Sequence, residues 1–134
     1  MKQLKNSKIK LVLIKEIFAV VQLEKGSSFP DWVISAELWS ITKTNDEISI
    51  ICPQDIVPTE VKSEKDWCCL KVDAVLDFSL VGILASLALP LAQEGISIFA
   101  LSTYNTDYLF IKNKDINKAI AVLMKHDFEV LKSS

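Results

Sequence analysis

The stretch DFSLVGILASLALPLAQEGISIFALSTYNTDYLFIKNKDINKAIAVL, residues 77–123, decides the fold of this chain. Residues 79–95 within it are apolar on all sides and end at Gly95, which suits the left-handed backbone conformation of a helix C-terminus. They predict a buried helix of about four turns. Pro90 lies inside this helix and should kink or loosen its last turn, because proline has no backbone N–H to donate.

Strands surround that helix, and a second helix follows it. The strands are predicted from β-branched and aromatic residues, and the second helix from amphipathic spacing. These elements are WCCLKVDAVLDF (67–78, strand), ISIFALS (96–102, strand), DYLFIK (107–112, strand), NKDINKAIAVLMKHD (113–127, helix) and FEVLKS (128–133, strand). The order strand, helix, strand, strand, helix, strand is the split βαβ, or ferredoxin-like, pattern.

The N-terminal half reads as a reduced version of the same pattern. One or two turns of helix are predicted after Pro30. Strands are predicted at IKLVLI (9–14), FAVVQL (18–23), AELWSITK (36–43) and EISIIC (47–52). We therefore expect an α+β fold of two ferredoxin-like (βαββαβ) halves, residues 1–63 and 64–134, with antiparallel sheets packed by helices.

The two halves also share a weak internal repeat. ISAELWSITKTNDEISII, from Ile34, resembles ISIFALSTYNTDYLFI, from Ile96, when a gap is inserted. In this alignment Ser40 falls opposite Ser102, Thr44 opposite Thr106 and Glu47 opposite Asp107.

Composition and charge argue against nucleic-acid and membrane partners. The net charge is -2, and all 15 basic residues are lysine, so the chain lacks the arginine fork that reads guanine edges and clamps phosphates. The longest apolar run, residues 80–92, is shorter than the roughly 18 residues that a membrane span needs. The apolar run at residues 9–14 is too short for a signal-peptide core. These features predict a soluble, cytoplasmic protein.

Catalytic and metal-ligating patterns are missing from the sequence. Cys52, Cys68 and Cys69 have no CxxC spacing, and the last two would point to opposite faces of a strand, so we expect buried, unreactive thiols and no metal site. His126, the single histidine, ends a helical pattern and is interpreted as a partner of the helix dipole. We expect no enzymatic activity and no cofactor.

Two polar loops should meet at one edge of the C-terminal sheet. They are the loop from Asp77 to Gly82, which enters the first helix, and the turn from Ser102 to Asp107. Backbone N–H groups at a helix N-terminus attract a carboxylate, and Gly82 would let that backbone come close. The carboxylate of Asp107 or Asp77 could take a cationic group. This pairing suits a ligand that carries both charges of an amino acid.

Each of these residues also has a purely structural interpretation. Asp77 and Ser79 could cap the helix, and Gly82 could allow close packing of the helix on the sheet. Asn105 and Asp107 could serve only to form the turn.

Three motifs carry a resemblance to a known family. They are Gly-Ile-Leu at a helix start, Pro-Leu-Ala followed by Gly-Ile-Ser, and Ser-Thr-Tyr-x-Thr-Asp-Tyr before an apolar strand. Together they resemble the ACT domain, and in particular the small tandem-ACT proteins related to the CASTOR arginine sensors. The N-terminal FPDWVISAELWSITKTNDEISIICP is similar to the first region of that group, whereas residues 53–66 are the least distinctive.

The resemblance implies a set of ligand-binding positions and a role. The N-terminal half of the chain departs from the family pattern, because that half lacks the Gly-Ile-Leu helix start. The implied role is a non-enzymatic, homodimeric sensor of a basic amino acid such as arginine or lysine. The alternative is a ligand-free ACT-fold interaction module that regulates an enzyme of amino-acid metabolism. The expected ligand-binding residues are Asp77, Gly82, Ile83, Leu84, Ser102, Thr103, Tyr104 and Asp107.

Overall fold

The computed structural model describes residues 9–73 and 82–133. Two α-helices and eight strands are assigned within these ranges, together with three single turns of 3₁₀ helix. In chain order the elements are β1 (Ile9–Leu13), β2 (Phe18–Glu24), a 3₁₀ turn (Asp31–Val33), β3 (Ser40–Lys43), β4 (Glu47–Pro53), a 3₁₀ turn (Gln54–Ile56), β5 (Ser63–Val72), α1 (Ile83–Gln93), β6 (Ile98–Ser102), β7 (Asp107–Lys112), a 3₁₀ turn (Asn113–Asp115), α2 (Ile116–Lys125) and β8 (Phe128–Lys132).

The chain divides into two compact units. The N-terminal unit is Glu16–Trp67, and the C-terminal unit takes the described residues from 68 onward together with residues 9–15. These units differ from the predicted halves, 1–63 and 64–134, because β1 pairs with strands of the C-terminal unit. Leu11 lies opposite Val72 in an antiparallel pairing of β1 with β5. On its other side β1 runs parallel to β8.

The sheet of the C-terminal unit has the strand order β6, β7, β5, β1, β8. Both α-helices belong to this unit and bury one apolar face each. In α2 the buried residues follow the predicted amphipathic spacing: Ile116, Ala119, Val122 and Leu123. This α+β arrangement confirms the predicted ferredoxin-like fold class.

Helix α1 is shorter and less buried than the sequence suggests. It begins at Ile83 and continues through the buried Pro90 to Gln93. The prediction of a helix buried on all sides is wrong, since Leu87 is fully buried whereas Leu89 is 60% exposed. The predicted end is confirmed: Gly95 has a φ of 73°, and its N–H donates to the carbonyl of Ala92 at 3.0 Å.

In the N-terminal unit the sheet order is β3, β4, β2, β5, with the first part of β5 pairing with β2. Single 3₁₀ turns stand where a full ferredoxin-like repeat has helices, and the turn after Pro30 confirms the short helical segment predicted there. The buried core of this unit comprises Ala19, Val21, Val33, Ile48, Ile50 and Cys52.

Strand β5 starts four residues earlier than the predicted strand. Its first residues, Ser63 to Asp66, are polar and largely exposed. Ser63 and Glu64 nevertheless lie in register with Val21 and Val20 of β2, whose pairing shifts between Phe18 and Val20. Tertiary pairing therefore overrides low intrinsic strand preference here.

All three cysteines are free and buried, as predicted. Burial raises the pKa of Cys52 to about 11. Burial, with a smaller contribution from neighbouring Cys68, raises the pKa of Cys69 to about 12. Because the thiolate is the reactive form, burial disfavours reaction of these thiols at neutral pH.

Candidate ligand-binding site

The hairpin between β6 and β7 carries four of the eight predicted site residues. Ser102 and Asp107 face each other as the last paired residues of the two strands. The Ser102 hydroxyl donates to Oδ1 of Asp107 at 2.6 Å. Asp107 is partly buried, whereas Ser102 and Thr103 are exposed. Tyr104, at the tip, is 83% exposed. These residues thus lie together on one accessible turn.

The four residues between the strands, 103–106, form a turn that the Thr103 side chain stabilises. The N–H of Thr103 donates to the carbonyl of Thr106 at 2.8 Å. In return the N–H of Thr106 donates to the Thr103 hydroxyl oxygen at 3.3 Å, and that hydroxyl donates to the Thr106 carbonyl at 3.1 Å. Thr103 and Thr106 therefore form the turn, although the structural interpretation named Asn105 and Asp107 as its formers.

Thr106 anchors this turn to the neighbouring strand. Its side chain is 5% exposed, and its hydroxyl donates to the carbonyl of Val72, the last residue of β5, at 2.8 Å. Sequence reasoning placed Thr106 within the polar turn from Ser102 to Asp107 and missed this role. A threonine within a polar run carries no signal of burial, so only the packing of β7 against β5 reveals it.

Replacing Thr106 by valine tests the anchor. Valine keeps the shape but removes the hydroxyl, so the buried Val72 carbonyl loses its partner, and we expect a loss of about 1–3 kcal/mol in the free energy of unfolding. Urea denaturation measures it, with Thr42→Val, an exposed position in β3, as the matched control. A Thr106→Val variant as stable as the control would show that the hydrogen bond contributes nothing.

Gly82 is the N-cap residue of helix α1, at the helix start as the resemblance implies. Gly82 has a φ of 84° and provides no side-chain cap. A Cβ built at Gly82 meets nothing within 4 Å, so close packing of the helix is not what requires glycine there. The left-handed backbone is the reason instead. The carbonyl of Gly82 accepts the N–H of Ser86 at 2.8 Å, which starts the helix ladder.

At Ile83 and Leu84 the backbone N–H groups are the atoms best placed to contact a ligand. The Ile83 side chain is 5% exposed and belongs to the core, whereas Leu84 is partly buried. The first N–H groups of an α-helix have no acceptor within the helix, so the backbone at these two positions is the part suited to bind an anion. Asp77 and Ser79, with their alternative capping role, lie outside the described residues.

In the structure the described site residues thus lie in two separate groups. One is the hairpin turn that Thr106 ties to the end of β5, and the other is the start of α1, which follows β5 in the chain. That both groups contact one ligand stays a prediction.

The hairpin between β3 and β4 repeats the turn geometry. The N–H of Thr44 donates to the carbonyl of Glu47 at 3.0 Å, and the N–H of Glu47 donates to the Thr44 hydroxyl oxygen at 3.2 Å. Thr44 is therefore the counterpart of Thr103, and Glu47 that of Thr106. The sequence alignment of Thr44 with Thr106 and of Glu47 with Asp107 is therefore wrong, because it matches residue types and not positions in the turn.

A cleft of about 790 Å³ lies in the N-terminal unit, and none of the predicted site residues lines it. Its wall combines carboxylates and ammonium groups on exposed positions around Leu23 and Val61. Sequence reasoning did not identify it, since the lining residues come from three segments with no shared motif. They are Gln22, Leu23, Glu24, Lys25, Asp46, Glu60, Val61 and Lys62.

Two further properties concern the described residues alone. No helix among them has both the length and the apolar character to cross a membrane. No three or more of their His, Cys, Asp and Glu side chains are grouped so as to hold a metal ion.

Family models match both parts of the chain. The model described as the ACT domain matches residues 62–125. A second model, described as an N-terminal domain, matches residues 16–60.

Known proteins are similar in sequence and in structure. The cytosolic arginine sensor for mTORC1 subunit 1 of Bos taurus is 26% identical over 105 residues, which cover 70% of this chain. The chain spans about a third of that relative, 32% of its length. The crystal structure of Atu0741 from Agrobacterium tumefaciens is 31% identical, with a TM-score of 0.89 and 95% of each chain covered. Aspartokinase alpha and beta subunits share the fold, with a TM-score of 0.63, 18% identity, and 90% of this chain and 98% of that chain covered.

Proposed function

Since this chain belongs to the ACT-domain family, we propose that it is a non-enzymatic regulatory protein that binds a basic amino acid, arginine or lysine, at the β6–β7 hairpin and the start of α1. The proposed protein is a homodimer in the cytoplasm. The similarity to a cytosolic arginine sensor supports both the ligand class and the compartment.

The observation that carries the proposal is the carboxylate of Asp107 on an accessible turn. One of its oxygens accepts the Ser102 hydroxyl at 2.6 Å. A carboxylate has about four lone-pair positions, so it can accept a ligand cation in addition. Among the described residues no lysine forms an ion pair with Asp107, whereas Lys114 pairs with Asp115. The hairpin thus presents a negative charge for a guanidinium or ammonium group.

The start of α1 supplies the opposite polarity. Its first N–H groups and the helix dipole favour a carboxylate there. No side chain of Gly82 competes for these donors. Because an amino acid carries both a carboxylate and a cationic group, one molecule could satisfy the helix start and Asp107 together.

Titration with all twenty amino acids tests the proposal. We expect arginine or lysine to raise Tm by several degrees at about a hundredfold excess over Kd, because a ligand that binds only the folded state stabilises it. Calorimetry then gives the Kd. No response to any of the twenty would overturn the amino-acid proposal.

The alternative function, a ligand-free interaction module, has one observation in its favour. Within the turn, Ser102 already pairs with Asp107, and Thr103 with Thr106, so the hairpin keeps its shape without a ligand. Under this alternative, titration gives no response while the protein still binds its regulated enzyme.

A further inference from the structure

The N-terminal unit has a part of its core face that the described residues of this unit leave uncovered. In β4 the buried residues Ile48 and Ile50 mark the core face. Their register partners on the edge strand β3 are Lys43 and Ile41. Directly paired residues of antiparallel strands point to the same face, so Lys43 and Ile41 lie on the core side although both are exposed.

The short 3₁₀ turn explains why this part stays open. A helix on this face would cover it from one edge to the other, but Asp31–Val33 buries only Val33. Phe29, which precedes the turn, packs edge-to-face on Trp39 with ring centroids 5.9 Å apart and remains 50% exposed. The edge of the sheet beside Phe29 therefore forms an open pocket.

The pocket has a volume of about 340 Å³. That size lies at the lower end of the range for small-molecule sites, about 300–1,000 Å³, so its occupant must be small. The pocket is lined by Gly26, Ser27, Phe29, Ile41, Lys43 and Ile48.

The lining combines an apolar wall with a single positive charge. Phe29, Ile41 and Ile48 supply the apolar surface, and no acidic residue lines the pocket. The Ser27 hydroxyl already donates to the Glu24 carbonyl at 2.6 Å. No described carboxylate forms an ion pair with Lys43, so its ammonium group is the charged donor that the described lining residues present to a ligand.

We propose that this pocket binds a small monocarboxylate with a short aliphatic or aryl tail. The tail packs on Phe29, Ile41 and Ile48, and the carboxylate pairs with the Lys43 ammonium. None of the described lining residues carries a carboxylate, so an α-ammonium group gains no ion pair there and lies near the Lys43 charge, which disfavours amino acids. This site is independent of the amino-acid site proposed at Asp107.

Three probes that share a phenyl ring on a three-carbon chain test the proposal: 3-phenylpropanoate, 3-phenylpropan-1-ol and L-phenylalanine. The methyl resonances of Ile41 and Ile48 report binding by NMR. We expect 3-phenylpropanoate to shift them saturably, with a Kd of about 1 mM or below. The alcohol lacks the charge and phenylalanine adds an ammonium group, so both bind about tenfold more weakly or worse.

The Lys43→Gln variant tests the contribution of the positive charge to binding separately from that of the apolar wall. This exposed substitution should weaken 3-phenylpropanoate binding about tenfold and leave binding of the alcohol unchanged. Lys25→Gln removes the same charge from an exposed position outside the pocket and should change neither.

Three results would overturn the proposal. The first is no saturable shift of the Ile41 and Ile48 methyls, and the second is equal affinity for the acid, the alcohol and phenylalanine. The third is a shift of the same methyls with protein concentration alone, which would show that a second copy of the chain occupies the pocket. All of them are independent of any response to arginine or lysine.

Discussion

Leu87→Ala in α1 lowers the free energy of unfolding by about 2–5 kcal/mol, whereas Leu89→Ala, two positions further along, changes it by less than about 0.5 kcal/mol. Leu87 is 0% exposed, so its truncation removes buried apolar contacts and leaves a cavity. Leu89 is 60% exposed on the opposite side of the helix and loses little. Urea denaturation of the two variants beside the parent protein measures both values.

This pair of variants is matched in residue type, helix and helix propensity. It therefore isolates which face of α1 is buried in the core. Equal losses in the two variants would contradict the face assigned here. If the Leu89→Ala loss also depended on protein concentration, Leu89 would be covered by a second copy of the chain.

Asp107→Asn weakens the binding of arginine or lysine by roughly 10- to 100-fold, because hydrogen bonds to charged groups contribute about 1.5–3 kcal/mol. Asparagine keeps a side-chain oxygen that can accept the Ser102 hydroxyl, so the hairpin is preserved. We expect the free energy of unfolding to change by less than about 1 kcal/mol. Isothermal titration calorimetry measures the affinity, and urea denaturation measures the stability.

Two other Asp→Asn variants sharpen this test. Asp127→Asn removes the same charge from the turn after α2, at a φ of 69° that asparagine tolerates, and should leave the affinity unchanged. Asp46→Asn removes it from the cleft of the N-terminal unit. Loss of binding in Asp46→Asn, with Asp107→Asn unaffected, would move the amino-acid site to that cleft and contradict the present assignment.

Local sequence signals predicted the elements of the C-terminal unit well. The end of α1 at Gly95 and the buried face of α2 depend on backbone conformation and helical periodicity, which neighbouring residues encode directly. The same signals failed for the first residues of β5, since Ser63 and Glu64 are strand residues only through their pairing with β2. They also overestimated the burial of α1, because apolar residues on all sides do not show which side meets the sheet.

Some residues of the candidate site could likewise be recognised from the sequence, and others could not. The motif around Gly82 was recognisable in the sequence because glycine favours a positive φ. The polar run to Asp107 was recognisable because polar residues between two apolar strands indicate a hairpin turn. Thr106 was not, since its hydrogen bond joins it to Val72, which is 34 residues away in the chain.

The sequence by itself determined the α+β class, the family resemblance, the glycine that terminates α1 and the buried thiols, because these depend on residue type and short-range spacing. Only the tertiary structure decided that β1 joins the C-terminal unit, that Thr106 anchors the hairpin, and that Ile41 and Lys43 line an open pocket. Each of these depends on contacts between segments distant in the chain. Such contacts arise from strand pairing and packing across the whole fold, so no short stretch of residues specifies them.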